Sequence, residues 1–175
     1  MLVSIIGISL LSLVLSGTAS GAGGQSEDSS DIARATAFRS MSFLVGTWTC
    51  HSLVRGLDRR DIVSYALESN GRWMHVHSVS PPVGVRQLTI IADGDFTYDV
   101  ARHHWFRTDR DSRGGYDVRT SSSWTGSTLV WSDILTDDGS LDQDRFTKIA
   151  QDQTRDVFVF QSRPTRTVIR NCHRK

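Results

Sequence analysis

From Thr47 to the C-terminus, β-branched and aromatic residues alternate with polar ones in short runs separated by turn signals, and helical periodicity is absent. The runs fall at 47–55, 60–68, 72–80, 85–92, 95–99, 103–110, 115–124, 128–136, 144–150, 156–162 and 166–173, some of them two halves of one bent strand. Consecutive strands with tight turns and no crossover helix predict a meander. So many strands must close on themselves or leave exposed edges, so the expected fold is all-β, an antiparallel up-and-down barrel of about eight to ten strands.

The 175 residues suit one domain. Residues 2–15 form an apolar run too short for a comfortable membrane span, and small residues follow it to Gly24. Residues 1–22 therefore read as a signal peptide, 23–30 as a flexible linker and 31–175 as the barrel domain, which places the protein in a secreted or periplasmic compartment. The rival reading of the apolar run is an uncleaved membrane anchor. Asp31 can cap a short N-terminal helix whose apolar stripe is Ile32, Ala35, Phe38 and Met41. A formal charge of +1 carries no nucleic-acid footprint. Cys50 and Cys172 are the only cysteines, and in an exported chain they make the one available disulfide.

Two hairpins assign the faces. An Asn70-Gly71 turn sets Leu67 opposite Met74 and Tyr65 opposite Val76, so that Val63, Tyr65, Leu67, Met74 and Val76 share an inward apolar face. A Gly126-Ser127 turn sets Trp124 opposite Leu129, Ser122 opposite Trp131, Thr120 opposite Asp133 and Val118 opposite Leu135. An inward Asp133 needs partners or water, which favours a wet lumen over a solid core.

The series Phe43-Leu44-Val45-Gly46-Thr47-Trp48, Phe96-Thr97-Tyr98-Asp99 leading to Trp105, Gly114-Gly115-Tyr116, Trp124 to Trp131 and a final Cys172 resembles calycin barrels, the lipocalin and nitrobindin-like superfamily. Within it, the chain is most similar to uncharacterised bacterial secreted domains. The resemblance implies a barrel with Trp48 at its closed end, a cavity at the other and a small-molecule ligand. Nitrobindins carry haem beside a glycine-rich first strand, and Cys50 stands where that glycine would be, so no cofactor is expected. If Cys50 faces Cys172 across the closing seam of an even-stranded barrel, then Trp48 pairs with Arg174, Ser52 with Arg170 and Val54 with Val168. Arg174 then lies over the Trp48 ring; the alternative is a frayed tail with Arg174 in solvent.

The leading functional expectation is a lumen that binds a small, largely apolar molecule through Tyr65, Met74, Val76, Trp124 and Trp131, with Asp133 fixing a polar group. One alternative is an acid–base enzyme pairing Asp133 with a lumen histidine; another is a non-enzymatic envelope module. Asp133 hydrogen-bonded to Thr120 or Ser122 is the plainer reading of that carboxylate. His75 and His77 have zinc-compatible strand spacing but read as outer-wall polar residues, and no metal site is expected. His103 and His104 point to opposite faces, so at most one reaches the lumen. Ser121 to Ser123 lack a nucleophile-elbow context, so no catalytic residue is assigned.

Overall fold

The structure is a computed structural model that describes residues 24–84, 87–161 and 165–175; the expected signal peptide lies outside the described residues. One α-helix, α1 (Gly24–Met41), and a single 3-10 turn (Ser42–Leu44) precede ten strands. These are β1 (Gly46–Val54), β2 (Leu57–Leu67), β3 (Met74–Ser80), β4 (Ile90–Asp99), β5 (His104–Asp111), β6 (Tyr116–Ser121), β7 (Thr128–Thr136), β8 (Gln143–Ala150), β9 (Gln153–Phe160) and β10 (Arg166–Arg174). Each strand pairs antiparallel with the next, and β1 pairs with β10, so the sheet is a closed up-and-down barrel with no free edge.

The end of the run expected at 85–92 and the whole run expected at 95–99 lie in one strand, β4 (Ile90–Asp99). Its inward Gly94 lies opposite Asp109, and a Cβ there would come within 2.4 Å of both the Thr108 carbonyl oxygen and the Asp109 carboxylate. β4 and β5 therefore approach more closely at this point than any side chain would allow.

The closing seam has the expected register, with Trp48 opposite Arg174, Cys50 opposite Cys172 and Ser52 opposite Arg170. Cys50 and Cys172 are disulfide-bonded. The Arg174 guanidinium lies 5.1 Å from the Trp48 ring centroid, a cation–π contact worth about 0.5 to 2 kcal/mol. The C-terminal strand is thus docked rather than frayed. The Asn70-Gly71 hairpin also has its expected register, Leu67 opposite Met74 and Tyr65 opposite Val76.

The second hairpin departs from expectation. Val118 does lie opposite Leu135, but a register shift between Val118 and Arg119 sets Arg119, not Thr120, opposite Asp133. A bulge leaves one extra residue unpaired and changes which side chains point inward beyond it. Thr120 donates its hydroxyl to the Trp105 carbonyl instead, and Leu135 is exposed.

The helix closes the barrel end that contains Trp48. Gly46, at φ 122°, turns the chain from the 3-10 segment into β1, and the Trp48 indole donates to the Leu44 carbonyl at 2.7 Å. Phe38 packs edge-on against Trp105 at 5.1 Å, and Met41, Phe43 and Leu44 are buried with it. The expected stripe is only half right: Phe38 and Met41 face the barrel, whereas Ile32 is 67% exposed and Ala35 is also in solvent. The helix begins at Gly24, so part of the segment expected as linker is helical. Among the described residues, no helix is long and apolar enough to cross a membrane.

The disulfide ties residues 122 apart in sequence across the only non-local strand pairing of the meander. Its removal by a Cys50→Ser/Cys172→Ser double substitution is expected to cost about 2 to 5 kcal/mol in urea unfolding. Equal unfolding midpoints with and without the bond would show that strand pairing alone secures the seam.

Candidate functional site: the charged mouth of the barrel

The lumen has two halves of opposite character. Toward the helix, Trp48, Val63, Met74, Phe96, Trp105, Leu129, Trp131 and Phe146 form a continuous buried cluster with Tyr65 and Val76. Its rings pack on one another: Phe96 lies 6.1 Å from Tyr65 and 5.6 Å from Trp131, both stacked. Dense packing of this kind is ordinary for a protein interior. Tyr65, Met74, Val76 and Trp131 therefore belong to the packed half. Trp124 lies at the closed rim, where its indole donates to the Ser40 hydroxyl at 3.0 Å. It lines a separate cleft of about 400 Å³ with Ser40, Gly126, Ser127 and Lys148.

Toward the open end the same inward alternation continues with charged residues. A cavity of about 450 Å³ lies there, lined among others by Ser78, Arg107, Asp109, Tyr116, Asp117, Arg119, Asp133, Phe158, Phe160 and Arg170. Asp133 is the one expected ligand-binding residue that lines it.

The arginines are held by aspartates two residues along the same strand or on a neighbouring strand, because both positions face inward. On β5, Arg107 donates through Nη2 to Asp109 Oδ1 at 2.9 Å, and its Nε lies 2.5 Å from Oδ2. Arg119 bridges two strands, donating through Nη2 to Asp117 at 3.0 Å and through Nε to Asp133 at 2.7 Å. The second Asp133 oxygen accepts the Asp142 backbone N–H at 3.0 Å. Arg170 donates through Nε to Asp156 Oδ2 at 2.6 Å and lies over the Phe158 ring. Near the rim, Arg59 joins Asp61 at 2.8 Å and the Ser80 hydroxyl at 2.6 Å. Burial opposes the charge on Arg107 and Arg170, but the aspartates facing them more than offset it.

Among the described residues, some carboxylate oxygens have no hydrogen-bond partner. Both oxygens of Asp144 are buried with no hydrogen bond, as are Asp156 Oδ1 and Asp117 Oδ1. Asp144 is 2% exposed and lies opposite Trp131 on β7 and Phe158 on β9. Burial, and then the negative charge of Asp156, pushes its carboxyl up to about 7. Burial likewise raises Asp117 to about 6 against the pull of Arg119. Deeper in the lumen, burial raises the Tyr65 phenol to about 12.

The histidines are elsewhere. None of the chain's 6 histidines lines the cavity, so Asp133 has no histidine beside it and is engaged by Arg119 instead of by Thr120 or Ser122. His75 stands on the outer wall between Glu68, 2.8 Å from its Nε2, and Asp95 at its Nδ1. Hydrogen bonds to those two carboxylates raise its pKa. His77 Nδ1 lies 2.7 Å from Asp93. Among the described residues, no group of three or more His, Cys, Asp or Glu is arranged to hold a metal ion.

The charged residues of the mouth were open to sequence reasoning through one signal, the period of two. Carrying the inward parity of Trp105 forward gives Arg107 and Asp109, and carrying that of Phe146 back gives Asp144. Asp117 and Arg119 need the register shift to be known.

No family model matches the chain, and no curated protein does. Among solved structures, that of EF1p2_mFAP2b bound to DFHBI aligns over 79% of this chain and 99% of its own, with 9% sequence identity and a TM-score of 0.47. A likeness at that level carries no argument about function.

A raised carboxyl pKa means that the folded state keeps a proton the unfolded chain has released. Between about pH 4, the unfolded value, and about pH 7, the folded protein binds more protons, so rising pH favours unfolding and the cost is complete above that window. Melting temperature is therefore expected to fall across it, and Asp144→Asn is expected to flatten the decline. Parallel wild-type and variant profiles would exclude Asp144 as the source.

Proposed function

We propose that this protein is a small-molecule-binding barrel of a secreted or periplasmic compartment and that its ligand occupies the charged mouth. The observation that carries the reading is the cavity of about 450 Å³ bounded by buried ion pairs, above a floor of closely packed aromatic and aliphatic side chains. A site of that volume suits a small organic molecule. The disulfide and the signal-like N-terminal run support the compartment.

Fixed ion pairs favour a ligand site over a merely solvated rim. Guanidinium groups anchored by aspartates present polar atoms at set positions, which a ligand meets without a further cost of ordering them. Phe158 and Phe160, 6.4 Å apart and stacked, offer an apolar wall beside the charges. The ligand is thus amphipathic, with its polar end among the ion pairs and its apolar body against the two phenylalanines. In this reading Asp133 orients a polar group of the ligand through Arg119, to which it is hydrogen-bonded.

Protein purified from its own host's secreted or periplasmic fraction is expected to carry a small-molecule adduct in native mass spectrometry. Ser78→Trp, which places an indole in the cavity, is expected to remove the adduct while leaving the circular dichroism spectrum unchanged. An adduct that survives this substitution would move the site away from the mouth.

A further inference from the structure

We propose that the cleft at the closed rim of the barrel is a second binding site, separate from the mouth. It takes a small aromatic carboxylate, whose ring lies against Trp124 and whose charge meets the Lys148 ammonium. The cleft, of about 400 Å³, is lined by Ser40 of α1, by Trp124, Gly126 and Ser127 of the β6–β7 connection and by Lys148 of β8. A space of that size admits a single-ring molecule. Thr136 and Asp142, at the opposite ends of β7 and β8, line the mouth instead.

The charge of this cleft has one sign. Lys148 is one of two lysines in the chain, and no carboxylate lines the cleft. The mouth arginines are held by aspartates, whereas among the described residues Lys148 takes part in no ion pair. Its ammonium donates to the neutral Gln151 Oε1 at 3.1 Å and lies 4.4 Å from the centroid of the Phe43 ring. An ammonium has three donors, and only one of these finds an acceptor in the protein. Lys148 is half-buried, and a partly desolvated cation without a counter-ion attracts an anion more strongly than one in bulk water. A cationic ligand would be repelled there, and a neutral one would leave the charge unmet.

The end of α1 beside the cleft does not oppose an anion as a bare helix C-terminus would. The Ser40 hydroxyl donates to the Ala37 carbonyl at 2.6 Å and the Ser42 hydroxyl to the Arg39 carbonyl at 2.8 Å. Arg39 adds a positive charge in the last turn.

Trp124 supplies a fixed aromatic wall. Its indole N–H donates to Ser40 Oγ, and its ring packs 6.1 Å from Phe43 and 6.0 Å from Phe146. The ring is nevertheless only half-buried. A ring already held in place offers its face to a ligand without a further cost of ordering it. Because the N–H is taken by Ser40, Trp124 brings a face and no donor, and the polar contact falls to Lys148. Gly126 adds no side chain to the space between them.

Nuclear magnetic resonance titration of the full chain with 3-phenylpropionate at neutral pH tests this, with neutral 3-phenylpropan-1-ol and cationic 3-phenylpropylammonium as comparators. The Trp124 indole N–H resonance, identified by its loss in Trp124→Phe, is expected to move as the acid is added. The acid is expected to bind about tenfold or more tighter than either comparator. Lys148→Met, which keeps the apolar stem, is expected to weaken the acid about tenfold, and Lys148→Arg to retain it. Ser78→Trp, at the mouth, is expected to leave it unchanged. Equal affinity for the acid and the alcohol, or undiminished binding by Lys148→Met, would overturn the role of the ammonium. The three-ligand comparison on the unmodified protein stands even if a variant folds poorly. Loss of the acid in Ser78→Trp would place it in the mouth and overturn the cleft, as would an unmoved Trp124 resonance at about 10 mM acid, a level at which even weak sites fill. None of these outcomes bears on the mouth's own adduct.

Discussion

Closure between β1 and β10 is the constraint on which the rest of the structure depends. Nine of the ten strand pairings join consecutive segments through local connections; the tenth joins the two ends of the sheet. Only once it forms does the inward face become an interior with a far wall. Before that, the carboxylates and guanidiniums on that face are surface groups, and the burial that raises the Asp144 carboxyl does not exist. At this seam a disulfide and an arginine over an indole lie two residues apart in register.

Closure also forces a choice about what fills the interior. The aromatic and aliphatic half solves the problem by packing, with the Trp48 indole hydrogen-bonded to the helix-side backbone and rings stacked across the lumen. The mouth solves it by pairing charges. Buried ion pairs gain little net stability, because desolvation offsets much of their attraction. They are better understood here as fixing side-chain positions, and the unmatched oxygens of Asp144 mark where pairing within the protein stops.

Much of this fold was legible in the sequence because a period of two is a strong constraint. The strands, the Asn70-Gly71 register and the seam pairing of Trp48 with Arg174 all follow from alternation and turn chemistry. The site was less legible for the same reason. Apolar residues of inward parity, such as Met74 and Trp131, look like a ligand-contacting wall, but whether such residues line space or fill it depends on packing across the barrel, which a linear pattern does not contain. Arg170 and Asp156 are partners across neighbouring strands, a pairing that a linear pattern does not display. The helix stripe erred at Ile32 because the earlier turns meet the barrel through polar side chains, Asp31 on Arg72 and Arg34 on the Tyr98 carbonyl, which leaves Ile32 toward solvent.

The bulge between Val118 and Arg119 has an implication for how such a barrel changes over generations. It decides which member of a neighbouring pair of side chains is inside, and so admits a guanidinium where an even register would admit a threonine. The polarity of the interior is then inherited partly as a count of residues and only partly as their identity. Gain or loss of one codon in β7, where Ile134 is the unpaired residue, would change which β7 side chains face Arg119 while nearly every other side chain in the barrel kept its place.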